Sequence, residues 1–320
     1  MSTSSSRISV LVPVYNNERT LDVLCQRLSA ALSGHDYEVL LVNDGSRDGS
    51  WPALARLAAL DPRIKVIGLS RNFGQHPAIA AAIDHATGDV IVLMDADLED
   101  QPEHIPGLVT ALGEQKCDIV YTVMDQAQPS PRSLTSTFYH YVFSRIVGVP
   151  VPRRLGTFRA FTRKVLLALR EFPERHVLYG PLMFYVGFRY AIVPVKRGVS
   201  PGVSSYSFGR RLRLAVNSLV TYTDLPPKMF AALGLAMVAL PLLYALLVVA
   251  QYVFIGQSLP RGLTVILVFL CGLTGMLMLA IGTLGIYIFR IFQEVLARPR
   301  YLIDETINVT TVETDGRSRR

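Results

Sequence analysis

The sequence predicts an α/β domain built on a mostly parallel sheet with crossover helices, followed by a two-helix transmembrane hairpin. Three observations carry that prediction. Short β-branched apolar runs alternate with helix-length segments from residue 8 to about residue 123, the pattern of βαβ units. One of those runs stops at Asp95-Ala96-Asp97, which places two carboxylates one residue apart at a strand end. Beyond the domain, residues Met229 to Gly256 and Gly262 to Phe289 form two stretches of 28 residues each without a charge. About 20 apolar residues suffice to cross a hydrocarbon core.

After a polar Ser/Thr tail over residues 1–6, Ile8 to Val14 reads as the first strand, and Leu21, Leu24, Leu28 and Leu32 follow at helical spacing. Tyr37 to Val42 is a second strand, Trp51 to Leu60 a helix, Ile64 to Leu69 a strand and Pro77 to Ala86 a helix. The run Gly88 to Met94 delivers Asp95. A helix from Pro102 to Leu112 and a strand from Asp118 to Val123 complete the alternation. The pattern then changes. Gln126 to Arg132 is a Pro-containing loop, and Phe138 to Val147 is aromatic and almost uncharged, suited either to the headgroup zone or to packing on the sheet. Lys164 to Leu169 reads as a short helix and Phe188 to Val195 as a strand. Phe208 to Leu225 is basic and amphipathic, read as an interfacial helix leading into the first span in preference to a soluble surface helix. The segments expected are a disordered tail (1–6), a cytoplasmic α/β domain (7–200), a loop with interfacial helix (201–228), the spans (229–289) and a cytoplasmic tail (290–320), weakly ordered after Tyr301.

The hairpin explains the mean hydropathy of +0.34. Arg210, Arg211, Arg213 and Lys228 precede it and Arg290, Arg298 and Arg300 follow, whereas the turn Gln257 to Arg261 holds a single Arg. The bias places both termini in the cytoplasm and predicts a multi-pass protein of the cytoplasmic membrane. The net charge of +7 clusters beside the spans, so it suits anionic headgroups rather than nucleic acid. Cys25, Cys117 and Cys271 are too scattered for a disulfide framework or a zinc site. Gly272, Gly275, Gly282 and Gly285 share one face of the second span, where small residues permit close helix packing.

Polar groups gather at the ends of successive predicted strands: Tyr15 to Glu18, Asn43 to Ser46 and Asp95 to Asp97. In open α/β sheets ligands bind at that edge. Hard cations such as Mg²⁺ or Mn²⁺ take carboxylate oxygens and share them with substrate phosphates, so Asp95 and Asp97 suggest a metal holding a nucleotide diphosphate. The same residues also suit a solvated acidic turn. No Gly-x-Gly-x-x-Gly and no Walker A sequence is present, which argues against dinucleotide dehydrogenases and P-loop kinases.

The motifs Val12-Pro13-Val14-Tyr15-Asn16, Val42-Asn43-Asp44-Gly45-Ser46, Ser70-Arg71-Asn72-Phe73-Gly74 and Asp95-Ala96-Asp97-Leu98 resemble those of the inverting glycosyltransferases of family 2. Within that family the chain is most similar to the polyprenyl-phosphate sugar transferases. Later markers are Gly156-Thr157-Phe158-Arg159, Ser204-Ser205-Tyr206 and Arg298-Pro299-Arg300-Tyr301. The resemblance implies a GT-A fold, a metal-dependent hexosyltransferase, a nucleotide-sugar donor (a UDP-hexose), a polyprenyl phosphate acceptor such as undecaprenyl phosphate, and a homo-oligomer. It implies that Asp95, Asp97 and Glu99 hold the metal and the donor diphosphate. Asp44 would read the base or ribose with Pro13, Tyr15 and Glu18 nearby. Arg159, Ser204 and Tyr206 would face the acceptor phosphate, and Asp97 and Arg159 would carry the catalysis.

Three departures from the family pattern stand out: Asn17 intervenes before Glu18, Thr157 stands where glucosyltransferase relatives have Asp, and Ser205 where Lys is usual; the last two bear on donor identity and acceptor geometry. A processive polysaccharide synthase is disfavoured because such enzymes carry a Gln-x-x-Arg-Trp motif, whereas the single tryptophan here, Trp51, lies in the N-terminal half, and two spans are few for a translocation channel. A non-catalytic nucleotide-sugar-binding protein and a direct protein glycosyltransferase are the remaining alternatives.

Overall fold

The structure is a computed structural model that describes residues 6–125, 155–172, 179–196, 198, 250, 253–254, 262–296 and 298–309. The chain divides into two units, Met1–Ser205 with Pro299–Arg320, and Tyr206–Arg298. The first holds an eight-stranded sheet. Its strands are β1 (Ile8–Val14), β2 (Tyr37–Asn43), β3 (Ile64–Leu69), β4 (Val90–Leu93), β5 (Ile119–Asp125), β6 (Leu155–Thr162), β7 (Tyr190–Lys196) and β8 (Ile303–Ile307). Their order is β7-β5-β6-β4-β1-β2-β3-β8. Strands β3, β2, β1 and β4 run parallel, whereas β6 is antiparallel to both β4 and β5, and β8 is antiparallel to β3. The sheet is therefore GT-A-like, mixed and mostly parallel.

The helices are α1 (Glu18–Ala31), α2 (Ser50–Leu60), α3 (Gln75–His85), α4 (Ile105–Glu114), α5 (Arg163–Arg170) and α6 (Tyr179–Tyr185). Every residue of β2 is buried and six of the seven in β1, as expected for parallel strands covered on both faces. Alternation along β1 sends Val10, Val12 and Val14 to one apolar cluster, with α1, α2 and α4, and Leu11 to the other, with α3, α5 and α6. Helix α3 presents Ala78, Ala80, Ala81 and Ala82 together with Ile79 and Ile83, all buried. Short side chains let its backbone approach the sheet closely. Pro13 sits past Leu11, the last β1 residue paired with β4, so only β2 flanks the strand there.

One buried charge stands inside this apolar frame. Glu38 on β2 is fully buried. Its carboxylate accepts from Ser9 Oγ at 2.5 Å, Lys65 Nζ at 2.6 Å, and the Thr87 N–H and hydroxyl at 2.7 and 2.9 Å. It thereby ties β1, β2, β3 and the approach to β4 at the edge opposite the site.

The tail corrects the expectation of weak order after Tyr301. Residues 303–307 form β8 on the free edge of β3, with Ile67 opposite Thr306 and Gly68 opposite Glu305. Backbone pairing outweighs the polar composition there, since an uncovered edge strand offers unpaired N–H and C=O groups.

In the second unit a helix, α7, runs over Gly262–Val295 (34 residues). Among the described residues no helix is long and apolar enough to cross a membrane, so the expected hairpin is not carried by the described structure. Apart from Ala250, Val253 and Phe254, its first span lies outside the described residues, and along α7 the described side chains are not contiguous. A Cβ added to Gly282 or Gly285 meets nothing within 4 Å among the described residues. The aromatic segment 138–147, the loop at 126–132 and the interfacial helix at 208–225 also lie outside the described residues.

Candidate active site

Parallel strands that end together place their following loops together. The register pairs Val14 with Asn43 and Asn43 with Gly68, and β4 ends at Leu93 opposite Leu11. The loops after β1, β2, β3 and β4 therefore share one sheet edge. Strand β6 enters from the same edge, with Arg159 opposite Leu93 on one side and Tyr121 on the other.

The first two loops interlock. Asn16, at φ 55°, donates its N–H to Ser46 Oγ and accepts from the Arg47 N–H at 3.0 and 2.9 Å. The Asn17 N–H donates to Ser50 Oγ, and Glu18 accepts from the Gly49 N–H at 3.1 Å. Glu18 thus supports the start of α2, while the neighbouring Tyr15 is 44% exposed and open to a ligand. Gly45 has φ +61°, and a Cβ there would lie 2.5 Å from the backbone of Arg71 and Asn72. Only glycine fits that crossing.

Asp44 is buried, and its two carboxylate oxygens accept the N–H groups of Phe73 at 2.7 Å and Gly74 at 2.9 Å. Burial pushes its carboxyl above the ordinary value, and those two bonds oppose the shift. Asp44 therefore pins the loop after β3, and each oxygen retains a second lone pair for a donor group.

Beyond β4 the chain turns at Leu98, φ 65°. Asp95 Oδ1 accepts from Gln75 Nε2 at 2.8 Å, and the Asp95 N–H donates to Asp100 Oδ2 at 2.9 Å. Desolvation, with Asp97 beside it, raises the Asp95 carboxyl to about 6, against hydrogen bonds from Thr157 and Gln75 and the charge of Arg159. Burial and then Asp95 raise Asp100 to about 7. The expected metal residues Asp95, Asp97 and Glu99 all lie on this turn. Among the described residues no group of three or more His, Cys, Asp or Glu side chains is gathered to hold a metal ion. The turn at Leu98 brings the Glu99 N–H back onto Asp97 Oδ1 at 3.0 Å, while the Glu99 carbonyl accepts from the Gly198 N–H. Asp95 and Asp97 remain as a pair of hard oxygen donors. The crowding of negative charge that lifts Asp95 and Asp100 is what a divalent cation relieves, so the residues present fit such an ion.

Arg159 is buried and lies close enough to Asp95 and Asp100 to feel both charges. Its Nε donates to the Thr157 carbonyl at 2.8 Å and a terminal nitrogen to the Gly156 carbonyl at 3.1 Å. The other terminal nitrogen meets Met183 Sδ at 3.6 Å, so the guanidinium plane is fixed and one N–H remains on each terminal nitrogen. His76 stands nearby, held neutral to about pH 4 by burial and by Arg159. Its Nδ1 is buried and has no hydrogen-bond partner. Ser204 and Tyr206 lie outside the described residues.

Sequence reading missed Gln75, His76 and Asp100. Asp100 was legible as the last acidic residue of its own stretch. Gln75 and His76 had no motif to mark them.

Residues 9–170 match the model of Glycosyl transferase family 2. The chain belongs to that family. It is 35% identical to the undecaprenyl-phosphate 4-deoxy-4-formamido-L-arabinose transferase of Enterobacter sp., over 98% of each chain. It is also 32% identical to an uncharacterized glycosyltransferase of Synechocystis sp., over 93% of this chain and 95% of that one. Among solved structures, the glucosyl-3-phosphoglycerate synthase of Mycobacterium tuberculosis, in complex with Mn²⁺, UDP and glucosyl-3-phosphoglycerate, superposes with a TM-score of 0.50. It is 16% identical, over 68% of this chain and 80% of that chain, a likeness of fold. This family 2 chain is thus a glycosyltransferase, and its strand-end carboxylates lie at the edge where α/β sheets bind ligands.

Proposed function

We propose that this chain transfers a sugar from a nucleotide-diphosphate donor, a UDP-hexose, to a polyprenyl phosphate at the cytoplasmic face of a membrane, with inversion at the anomeric carbon. The observation that carries this reading is end-to-end similarity to a transferase named for undecaprenyl phosphate, joined to paired carboxylates beside a buried arginine. Mg²⁺ or Mn²⁺ held by Asp95 and Asp97 would supply the positive charge that the departing diphosphate needs. Asp44 and the loop it pins bound the nucleotide side, with Tyr15 exposed for contact with the base. Thr157 offers no base, and none is required. A phosphate monoester loses its second proton near pH ~6, so its oxygen arrives as an anion. Arg159 orients that phosphate with the remaining N–H groups of its two terminal nitrogens, joined by Ser204 and Tyr206.

Membrane attachment belongs to the same proposal. Residues 262–289 carry no charge, and within α7 Ile266, Leu270, Leu277, Ile281, Leu284 and Ile288 are each more than half exposed. Confinement to the membrane plane raises the effective concentration of a lipid acceptor. The test is a screen of labelled nucleotide sugars with undecaprenyl phosphate and Mn²⁺. One donor should send label into organic solvent as lipid-linked sugar; label fixed only on protein or on insoluble polymer from every donor overturns the acceptor assignment.

A further inference from the structure

Residues 299–309 belong to the first unit and are tied to it at several points. The Asn308 amide donates to the Ala58 and Ile64 carbonyls at 2.7 and 3.0 Å. The Tyr301 hydroxyl donates to Asp84 Oδ2 at 2.7 Å, and Arg300 donates to the Phe172 carbonyl. Asn308 has φ 58°, a conformation asparagine tolerates better than most residues. Residues 303–306 are exposed, so apolar burial along the strand does not account for its docking. Hydrogen bonds and the packing of Tyr301, Ile307 and Val309 against the two clusters do.

The hold of this segment falls on residues 70–84. The Ser70 N–H donates to the Leu302 carbonyl at 3.0 Å. From Ser70 the chain reaches Phe73 and Gly74, whose N–H groups bond Asp44, and then Gln75, whose amide bonds Asp95. It continues through α3 to Asp84, which takes the Tyr301 hydroxyl. Both ends of the stretch that bridges Asp44 and Asp95 are thus held by one short piece of tail.

We propose that residues 299–309 are a positioning strap for the donor side of the site. Leu302 and Tyr301 fix the 70–84 segment so that its backbone meets Asp44 and its Gln75 meets Asp95. The functional part rests on reading Asp44 and Asp95 as the donor side. Without the strap β3 becomes an edge strand, and the 70–75 loop retains anchors only on the site side, so it opens more readily.

The test uses the full-length chain in detergent, comparing wild type with a Tyr301→Phe/Asn308→Ala double variant and with Thr306→Pro, which interrupts β8. Amide hydrogen exchange and calorimetric titration with UDP and Mn²⁺ are read together with donor and acceptor KM. The Phe73 and Gly74 amides should exchange about tenfold faster in the double variant, while Val10 and Leu41 keep wild-type protection. UDP affinity should fall and donor KM rise by a similar factor, with acceptor KM unchanged. Unchanged exchange at Phe73 and Gly74 in the double variant overturns the strap. Faster exchange there with unaltered UDP affinity overturns its role in donor binding. Should Thr306→Pro also expose Val10 and Leu41, unfolding is global in that variant and the double variant decides. A wild type that binds no UDP refutes the donor-side reading instead, and exchange still reports on the strap.

Discussion

Asp44→Asn separates two roles that one carboxylate can play. Both of its oxygens are committed to N–H groups, at 2.7 Å from Phe73 and 2.9 Å from Gly74. An asparagine keeps one acceptor and turns an NH₂ group toward the other N–H. One charge-assisted bond is lost, the second loses its charge, and a part-buried N–H is stranded, at a cost of about 3 kcal/mol. Removing a desolvated charge, the cause of the raised Asp44 carboxyl, returns some of this, leaving about 2 kcal/mol. For a unit of this size the thermal midpoint should drop by about 4–8 °C, measured without nucleotide. Exchange at Phe73 and Gly74 should accelerate before the rest of the sheet opens. A midpoint within about 1 °C of wild type, with only the nucleotide preference altered, would show that Asp44 reads the base and pins nothing.

Other predictions follow from the same geometry. Glu38→Gln leaves Lys65 without its ion-pair partner and should cost about 3–5 kcal/mol, read by denaturant unfolding; a double change with Lys65→Met should recover much of the loss. Burial raises the Glu38 carboxyl, but Lys65, Ser9 and Thr87 together hold it below the ordinary 4.5. Its contribution is therefore complete above that value and disappears as pH falls through the lower folded one. An acid-unfolding profile unchanged by Glu38→Gln would contradict this. Asp97→Ala should lower turnover about 10²-fold or more with the thermal midpoint retained, and wild-type turnover in that variant refutes the metal assignment. Thr157→Ala should keep most activity, since its side chain only adds a hydrogen bond to Asp95; an inactive, folded variant would show that Thr157 does chemistry. Ser258→Cys should introduce a thiol that reacts with an impermeant reagent from outside the cell, and labelling only from the cytoplasmic side would reverse the topology.

How much of this was legible in the sequence differs from element to element. Strands β1 to β5 were readable because buried parallel strands are apolar on both faces, and Leu21, Leu24 and Leu28 mark α1 by spacing alone. Asp95 and Asp97 were readable because the strand before them fixes where they emerge. β8 was not, since Ile-Asp-Glu-Thr-Ile carries the polarity of a tail and pairs through backbone atoms that composition does not reveal. The burial of Glu38 was also hidden, because its partners come from residues 9, 65 and 87 and converge only in the folded sheet. Asp44 was marked for a ligand, but its contact with the 73–74 backbone, between loops about thirty residues apart, was not legible. The left-handed turn at Leu98, which folds the Glu99 N–H onto Asp97, was hidden too, since nothing in a leucine announces that conformation.

The central claim is a metal-dependent, inverting transfer of sugar onto a lipid phosphate. It is tested most directly by giving membranes containing this chain an α-linked labelled UDP-hexose, Mn²⁺ and undecaprenyl phosphate, and determining the anomeric configuration of any sugar extracted into organic solvent. The account predicts a β-linked sugar on the lipid phosphate, abolished by EDTA and by Asp97→Ala. A lipid product with the α configuration, or one formed equally well in EDTA, would contradict it.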